Sequence, residues 1–212
     1  MSNYYAHARM EIMPYLPPAP KRLLELGCAA GGTVAHIKTL HPDLWAAGAE
    51  LHPESAALAR KHFDVVWTGT VEDTPWDKEI APGSLDVILC LDILEHLVDP
   101  WTQVKRLTPL LAPGGLLIVS IPNVRNYKFV LKLLFKGDFR YKDAGILDRT
   151  HLRFFTKDTG IELACGGGLK LARVEPALPF TFPDIRWFWS KLSNKRADSV
   201  MAKQWIIVAR AD

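Results

Sequence analysis

At 212 residues, 49% hydrophobic and 23% charged, the chain suits one domain large enough for a core of its own. Its formal net charge of +3 argues against a dedicated nucleic-acid binder, so DNA is not an expected partner, although RNA is not excluded by charge alone. Cys28, Cys90 and Cys165 form no C-x-x-C pair, which speaks against a disulfide framework or a structural zinc and for a reducing, cytoplasmic setting. No apolar run approaches the ~18 residues of a membrane span, and the N-terminus lacks the apolar stretch of a secretory signal.

Residues 1–20 (MSNYYAHARMEIMPYLPPAP) read as a short helix stopped by prolines, an N-terminal cap. In it Tyr4 and Tyr5 either cover a ligand or pack on a sheet edge. Residues 21–32 (KRLLELGCAAGG) organise the rest of the chain. Leu23, Leu24 and Leu26 make a buried strand, and Gly27, Ala29, Gly31 and Gly32 make a turn where backbone can approach a ligand closely. From Thr33, Val34, Ile37 and Leu40 fall at helical spacing. A strand, a glycine turn and a helix N-terminus form a nucleotide or nucleoside site, because backbone N–H groups without helical partners face the ligand.

A second strand over 44–51 ends in Glu50, and residues 53–62 predict a helix with Pro53 in its first turn and Ala57, Leu58 and Phe63 on one side. Strands follow at 64–68 and 85–90, the latter (LDVILC) apolar throughout as in a parallel sheet buried on both faces. A helix over 100–111 and a Pro113-Gly114-Gly115 turn lead to a fifth strand at 116–121. Beyond it come an amphipathic helix at 127–135, a polar loop at 137–150, and a helix capped by Thr156 or Asp158 and stopped by Gly166-Gly167-Gly168. The last strands fall at 169–174 and 204–209, with an aromatic stretch at 180–189 between them. The alternation predicts an α/β fold: a Rossmann-like, seven-stranded, mostly parallel sheet with helices on both faces and ligands at the carboxyl ends of the strands. One domain is expected over 1–212, with a lid insertion at 123–155 and an aromatic insertion at 176–203.

Glu50 ends its strand on the same sheet edge as the glycine turn, where a carboxylate can accept from both hydroxyls of a ribose. A nicotinamide dehydrogenase uses the same parts, but the turn lacks the G-x-G-x-x-G register. In its place the chain resembles class I S-adenosylmethionine-dependent methyltransferases. Their first motif, E-x-G-x-G-x-G, is matched by Glu25, Gly27, Ala29 and Gly31, with Ala29 at the middle glycine; one extra methyl should narrow the loop only slightly. The resemblance implies S-adenosylmethionine as cofactor. It puts this loop, Cys28 included, under the methionine end, and Glu50 and Leu51 at the ribose. Residues after the third strand then meet the adenine: Thr70 and Val71 here, with Glu72 or Asp73 as substitute acceptors.

The run LDVILCLDILEHLVDP is similar to the branch holding the O-methyltransferases of ubiquinone biosynthesis. Cys90, Leu91 and Asp92, which the resemblance puts among the cofactor contacts, occupy the place where base-methylating enzymes carry an Asn/Asp-Pro-Pro-aromatic motif, which argues against base methylation. The segments PGGLLIVSIPN, VRNY and GILDRTHLRFFT look like bacterial methyltransferases of polysaccharide and cell-envelope clusters. The implied activity is methyl transfer to a small-molecule acceptor at a sugar, quinone-like or lipid-like hydroxyl. The alternatives are N-methylation or a catalytically silent, cofactor-binding partner protein.

In-line transfer from a sulfonium carbon needs alignment, exclusion of water and, at a hydroxyl, loss of a proton. His96, just after the fourth strand, is a candidate base or else a packed turn histidine, with Glu95 tying the turn. Asp148, Arg149 and His151 form a second polar cluster ahead of apolar Leu152, Phe154 and Phe155: Arg149 and His151 as catalytic candidates, Asp148 with Asn123 and Tyr127 as acceptor contacts, or all as lid pins. Cys90 reads as a small apolar lining residue rather than a nucleophile. His36, His41, His52 and His62 show no metal-ligand grouping, and no metal site is expected. Lys128, Lys132 and Lys136 recur along the 127–135 helix, which suits an amphipathic lid or weak contact with a membrane surface. No motif specifies an oligomeric state.

Overall fold

The computed structural model describes residues 8–178, 184–193 and 197–212. Tyr4, Tyr5 and positions 180–183 of the aromatic stretch lie outside the described residues. Strand β1 (Arg22–Leu26) turns at Gly27 into helix α1 (Gly32–Leu40), and β2 (Trp45–Glu50), α2 (Pro53–Ala59) and β3 (Val65–Thr68) follow. A one-turn helix, α3 (Trp76–Glu79), precedes β4 (Leu85–Leu91), α4 (Pro100–Leu107) and the long β5 (Leu111–Pro122). After α5 (Tyr127–Lys136) and α6 (Lys157–Cys165), the chain closes with β6 (Lys170–Pro176), α7 (Ile185–Leu192), α8 (Asp198–Met201) and β7 (Gln204–Arg210).

The seven strands lie in the order β3-β2-β1-β4-β5-β7-β6, with β7 antiparallel to both neighbours and the other pairs parallel. β1 sits inside the sheet, with Leu24 opposite Ala47 of β2 on one side and Ile88 of β4 on the other. The chain leaves β1 toward β2 and returns to build β4 on the other flank. This reversal opens a crevice at the carboxyl ends of β1 and β4. Strand alternation divides the core. Leu24, Leu26, Ile88 and Cys90 face α3, α4 and α6 through Trp76, Ile80, Val104, Leu107 and Leu163. Leu23, Val87 and Leu89 face Val34, Ile37, Ala59 and Phe63 of α1, α2 and the residues after it.

Several details depart from the expected elements. The N-terminal cap is a 3-10 turn over Met10–Tyr15 that buries Ile12, not an α-helix. Helix α2 ends at Ala59 and turns Ala56 and Ala59 inward, so Ala57 and Leu58 face solvent. The pattern misled because alanines are apolar enough to suit either face of a short helix. Helix α4 ends at Leu107, before the 3-10 turn Thr108–Leu110, and is capped by Asp99, whose carboxylate accepts from Thr102 N at 3.0 Å. The cap of α6 is Thr156, in a reciprocal pair with Thr159. Among the described residues no helix is long and apolar enough to cross a membrane.

Gly160 faces the sheet from α6, where a Cβ would overlap Ile121 Cδ1 and stand 2.8 Å from Ile207 Cδ1. Helix propensity alone favours alanine there by ~1 kcal/mol. Both obstructing atoms belong to fully buried side chains. Overpacking therefore reverses the sign, and Gly160→Ala is expected to lower unfolding free energy by about 1–2 kcal/mol in urea titrations.

Candidate functional site

The glycine turn is held from within. Gly27 N and Cys28 N donate to Ala49 O at 2.8 and 3.1 Å, Gly31 N donates to Cys28 O at 2.9 Å, and Ala29 N donates to Glu50 Oε2 at 2.9 Å. These four amides are therefore engaged by the chain itself, against the expectation that the turn's own amides face the ligand. Helix α1 has no side-chain cap, so its first-turn N–H groups are the donors that the turn presents. Gly27 and Gly31 have φ of +67° and +84°, and a Cβ on Gly31 would meet Ala59 Cα at 3.2 Å. Ala29 has φ +48°, so the middle position demands the left-handed region even though its residue is alanine.

Glu50 is buried, and its second oxygen, Oε1, accepts from His52 N at 2.9 Å. Each carboxylate oxygen carries a further acceptor site, so bracing the turn does not exhaust it. Glu25 lies beside it, buried, with Oε2 lacking a hydrogen-bond partner. Burial pushes the Glu25 carboxyl up to about 8; Arg9 opposes the rise and Glu50 adds to it.

Asp92 follows the last residue of β4, with φ +55°. Its Oδ2 accepts from Arg9 Nη1 at 2.8 Å, and its Oδ1 accepts from Ser120 Oγ at 2.8 Å and from Gln204 Nε2. Arg9 Nη2 also donates to Ser120 Oγ at 3.0 Å, and Arg9 Nε to Glu11 Oε1 at 2.5 Å. Burial alone would lower the Arg9 pKa, but Asp92 and Glu11 hold it above its ordinary value. Nothing in the sequence marked Arg9, Ser120 or Gln204, because three separate segments supply them.

Beyond Asp92 the 3-10 turn Leu94–His96 carries Glu95 and His96. The Glu95 carbonyl accepts from Leu152 N and Arg153 N at 2.8 and 3.0 Å, which laces this turn to the loop holding His151. The two imidazoles meet edge to face with centroids 4.7 Å apart. Glu95 is 1% exposed, and neither carboxylate oxygen has a hydrogen-bond partner among the described residues. Burial, with Asp92 adding to it, pushes the Glu95 carboxyl well above the usual range. Burial and the neighbouring His151 lower the His96 pKa. Among the described residues Glu95, His96 and His151 are a group able to hold a metal ion, with ligand atoms all within 4.8 Å of one another. None of His36, His41, His52 and His62 belongs to this group, and residue order does not announce it, because His151 lies in a different loop from Glu95 and His96.

Other candidates are placed elsewhere or already engaged. Asn123 is fully buried, its amide donating to Ser199 O and Ala202 O and its Oδ1 accepting from Arg125 N, so it pins the end of β5 rather than meeting an acceptor. Arg149 is an exposed partner of Asp143 at 3.1 Å, its side chain 67% accessible, and does not join the histidines. Asp148 accepts from Thr150 N and Oγ, and with His96 and His151 near it has a lowered pKa despite partial burial. Thr70 donates its hydroxyl to Asp73, and Val71 is buried beside it. Cys90 is closed inside the core, so its side chain cannot line a ligand, and burial pushes its thiol far up. Cys28 and Leu91 are buried at the turn and strand end, while Leu51 and Tyr127 are exposed.

Comparison with known proteins accords with this architecture. A family model described as a methyltransferase domain matches residues 1–174. A ubiquinone biosynthesis O-methyltransferase of Xanthomonas axonopodis pv. citri is 29% identical over 180 residues, covering 78% of this chain and 70% of that protein. Two solved structures share the fold. A SAM-dependent methyltransferase from Archaeoglobus fulgidus has TM-score 0.65 at 14% identity, covering 95% of this chain and 92% of that one. A second, from Thermotoga maritima, has TM-score 0.63 at 19% identity, covering 99% and 89%.

The raised Glu25 pKa makes a pH prediction. Between about 4.5 and about 8 the folded carboxyl keeps a proton that the unfolded chain has lost. Stability should thus fall as pH rises through that window. Glu25→Gln is expected to flatten this fall when unfolding free energy is measured at several pH values.

Proposed function

On the footing that this chain belongs to the S-adenosylmethionine-dependent methyltransferase family, we propose that it methylates a hydroxyl of a small acceptor with an apolar or aromatic body. The observation that carries the reading is the Glu95–His96–His151 cluster beside Asp92, at the carboxyl end of β4, where the crevice opens. The residues present fit the cofactor. Glu50 keeps acceptor capacity at the end of β2, Gly27 and Gly31 carry no side chain at either end of the turn, and the α1 N-terminus is uncapped. When bound, S-adenosylmethionine supplies a methyl carbon already made electrophilic by its sulfonium. Glu50 would hold the ribose and the turn the methionine end, while the histidine cluster meets the acceptor hydroxyl and deals with its proton.

The character of the acceptor is inferred from the apolar and aromatic surface of α5 and of the loop that follows it. Phe139 stacks edge to face with Phe129, Tyr141 and Phe154 at centroid distances of 5.8, 5.9 and 6.1 Å. Helix α5 buries none of its residues, and Leu134 and Phe135 are 70% and 77% exposed. Such a surface suits an aromatic or lipid-like acceptor better than a sugar, and the similar ubiquinone-biosynthesis protein agrees with that choice. Lysines on the same helix make weak contact with a membrane surface part of the proposal.

Binding and turnover experiments test the reading. S-adenosylhomocysteine should raise the melting temperature while NADH does not, and Glu50→Ala should weaken its binding by ~1.5–3 kcal/mol in calorimetry. The reverse thermal-shift pattern would sink the cofactor assignment. In a panel of catechols, prenylated hydroquinones and monosaccharides, turnover is expected with the aromatic acceptors, and Phe139→Ala should raise their KM without changing S-adenosylhomocysteine affinity. Turnover of the sugars alone would overturn the acceptor class.

A further inference from the structure

We propose that a cavity between α6, α8 and the strands β6 and β7, apart from the cofactor crevice, binds a small zwitterion that carries an ammonium and a carboxylate, as a free amino acid does. The proposal does not rest on the methyl-transfer reading, since it concerns the other face of the sheet.

The cavity measures about 370 Å³, within the ~300–1,000 Å³ of small-molecule sites. Its lining includes Arg125, Lys157, Asp158, Glu175, Asp198 and Trp205. Side-chain alternation along β7 sets it apart from the crevice. Gln204 reaches Asp92 and Ser120, whereas Trp205, the next residue, turns to the α6 side and packs in the cluster that holds Ile121 and Leu163. Two buried groups of the lining are unsatisfied. Asp198 is 8% exposed and Trp205 3%, and neither Asp198 Oδ1 nor Trp205 Nε1 has a hydrogen-bond partner among the described residues. One is an acceptor and the other a donor, and each is costly to leave unmet.

The charges around those two atoms select the ligand. Arg125 is exposed, and among the described residues no ion pair engages its guanidinium. Asp158 stands 3.7 Å from Lys157 and Glu175 3.6 Å from Arg173, both long for a charged hydrogen bond. An ammonium, with three hydrogens to donate, suits Asp198; a carboxylate accepts from the Trp205 indole and pairs with a guanidinium such as that of Arg125. A polyol would fill both orphans but bring no charge to Arg125, and charge-assisted bonds are roughly twice as strong as neutral ones. A bare anion would face three carboxylates, and a bare cation would leave the indole unmet. A ligand of both signs answers the whole lining. The cavity also adjoins the anchor of α5. Asn126, which caps that helix, donates to Met201 O in α8 and to Ala202 O just after it, at 3.1 Å each.

The test follows the Trp205 indole N–H in nitrogen–proton correlation spectra of the isotope-labelled chain, where seven tryptophans give few enough indole peaks to assign. The probes are alanine, leucine, glutamate, lysine, β-alanine and γ-aminobutyrate, with glucose, inorganic phosphate, N-acetylalanine and alanine methyl ester as comparisons. At least one free amino acid should shift the Trp205 peak saturably, and whether α- or ω-amino acids do so fixes the separation of the two charges. The acetylated and esterified forms, each lacking one charge, should not. Asp198→Asn, whose otherwise unchanged spectrum shows that it folds, should weaken the amino acid about tenfold or more. S-adenosylhomocysteine is read instead at the amides of the glycine turn, so failure of this site and failure of the cofactor assignment appear on different peaks. No movement of the Trp205 indole with any amino acid would overturn the proposal, and this needs no variant. A shift with glucose or phosphate alone, or unchanged affinity in folded Asp198→Asn, would overturn it equally.

Discussion

Every feature of the site depends on β1 being paired on both edges by parallel strands. A parallel pair needs a crossover that returns the chain to the strand's starting end, so each strand's carboxyl end opens into a loop on one rim of the sheet. The glycine turn, Glu50, Asp92 and the Glu95–His96 turn are therefore neighbours although they come from different βα units. The reversal of winding between β2 and β4 keeps a helix from covering that rim.

The rim concentrates acidic groups: Glu25, Glu50 and Glu95 are buried and Asp92 is partly so. Their environments differ in kind. Glu50 accepts from two backbone amides, and Asp92 is met by a guanidinium, a hydroxyl and an amide. Glu25 and Glu95 have orphaned oxygens, and burial drives both carboxyls upward. Satisfied carboxylates brace the scaffold, whereas unsatisfied ones store the cost of burial where an incoming ligand could relieve it.

Arg9 shows how the two roles join. It reaches from the N-terminal segment across the sheet to Asp92 and Ser120, and its backbone N donates to Thr33 Oγ1 at 3.3 Å in the first turn of α1. The cap segment is thereby coupled to the strand ends that position the turn. Ion pairs at this degree of burial derive their value from geometry and additional hydrogen bonds rather than from charge alone.

Local patterns made most of the scaffold legible. Apolar runs such as LDVILC, glycine spacing in the first turn, and Glu50 one βα unit later appear directly in residue order, because strands, turns and strand ends are short-range objects. Boundaries and faces were harder to read where small residues suit either side, as at Ala57 and Leu58. By itself, then, the sequence determined a seven-stranded, mostly parallel sheet and the placing of a nucleoside-type turn at the first strand. Only tertiary structure decided which polar residues act together. Asn123 and Arg149 read like site residues but are taken up by β5 and Asp143, while Arg9, Ser120 and Gln204 join unannounced. The pairing of His96 with His151 follows from two amides meeting one carbonyl, that of Glu95. Such backbone bonds carry no residue-type signature, and so long-range side-chain constellations stay invisible until the chain is folded.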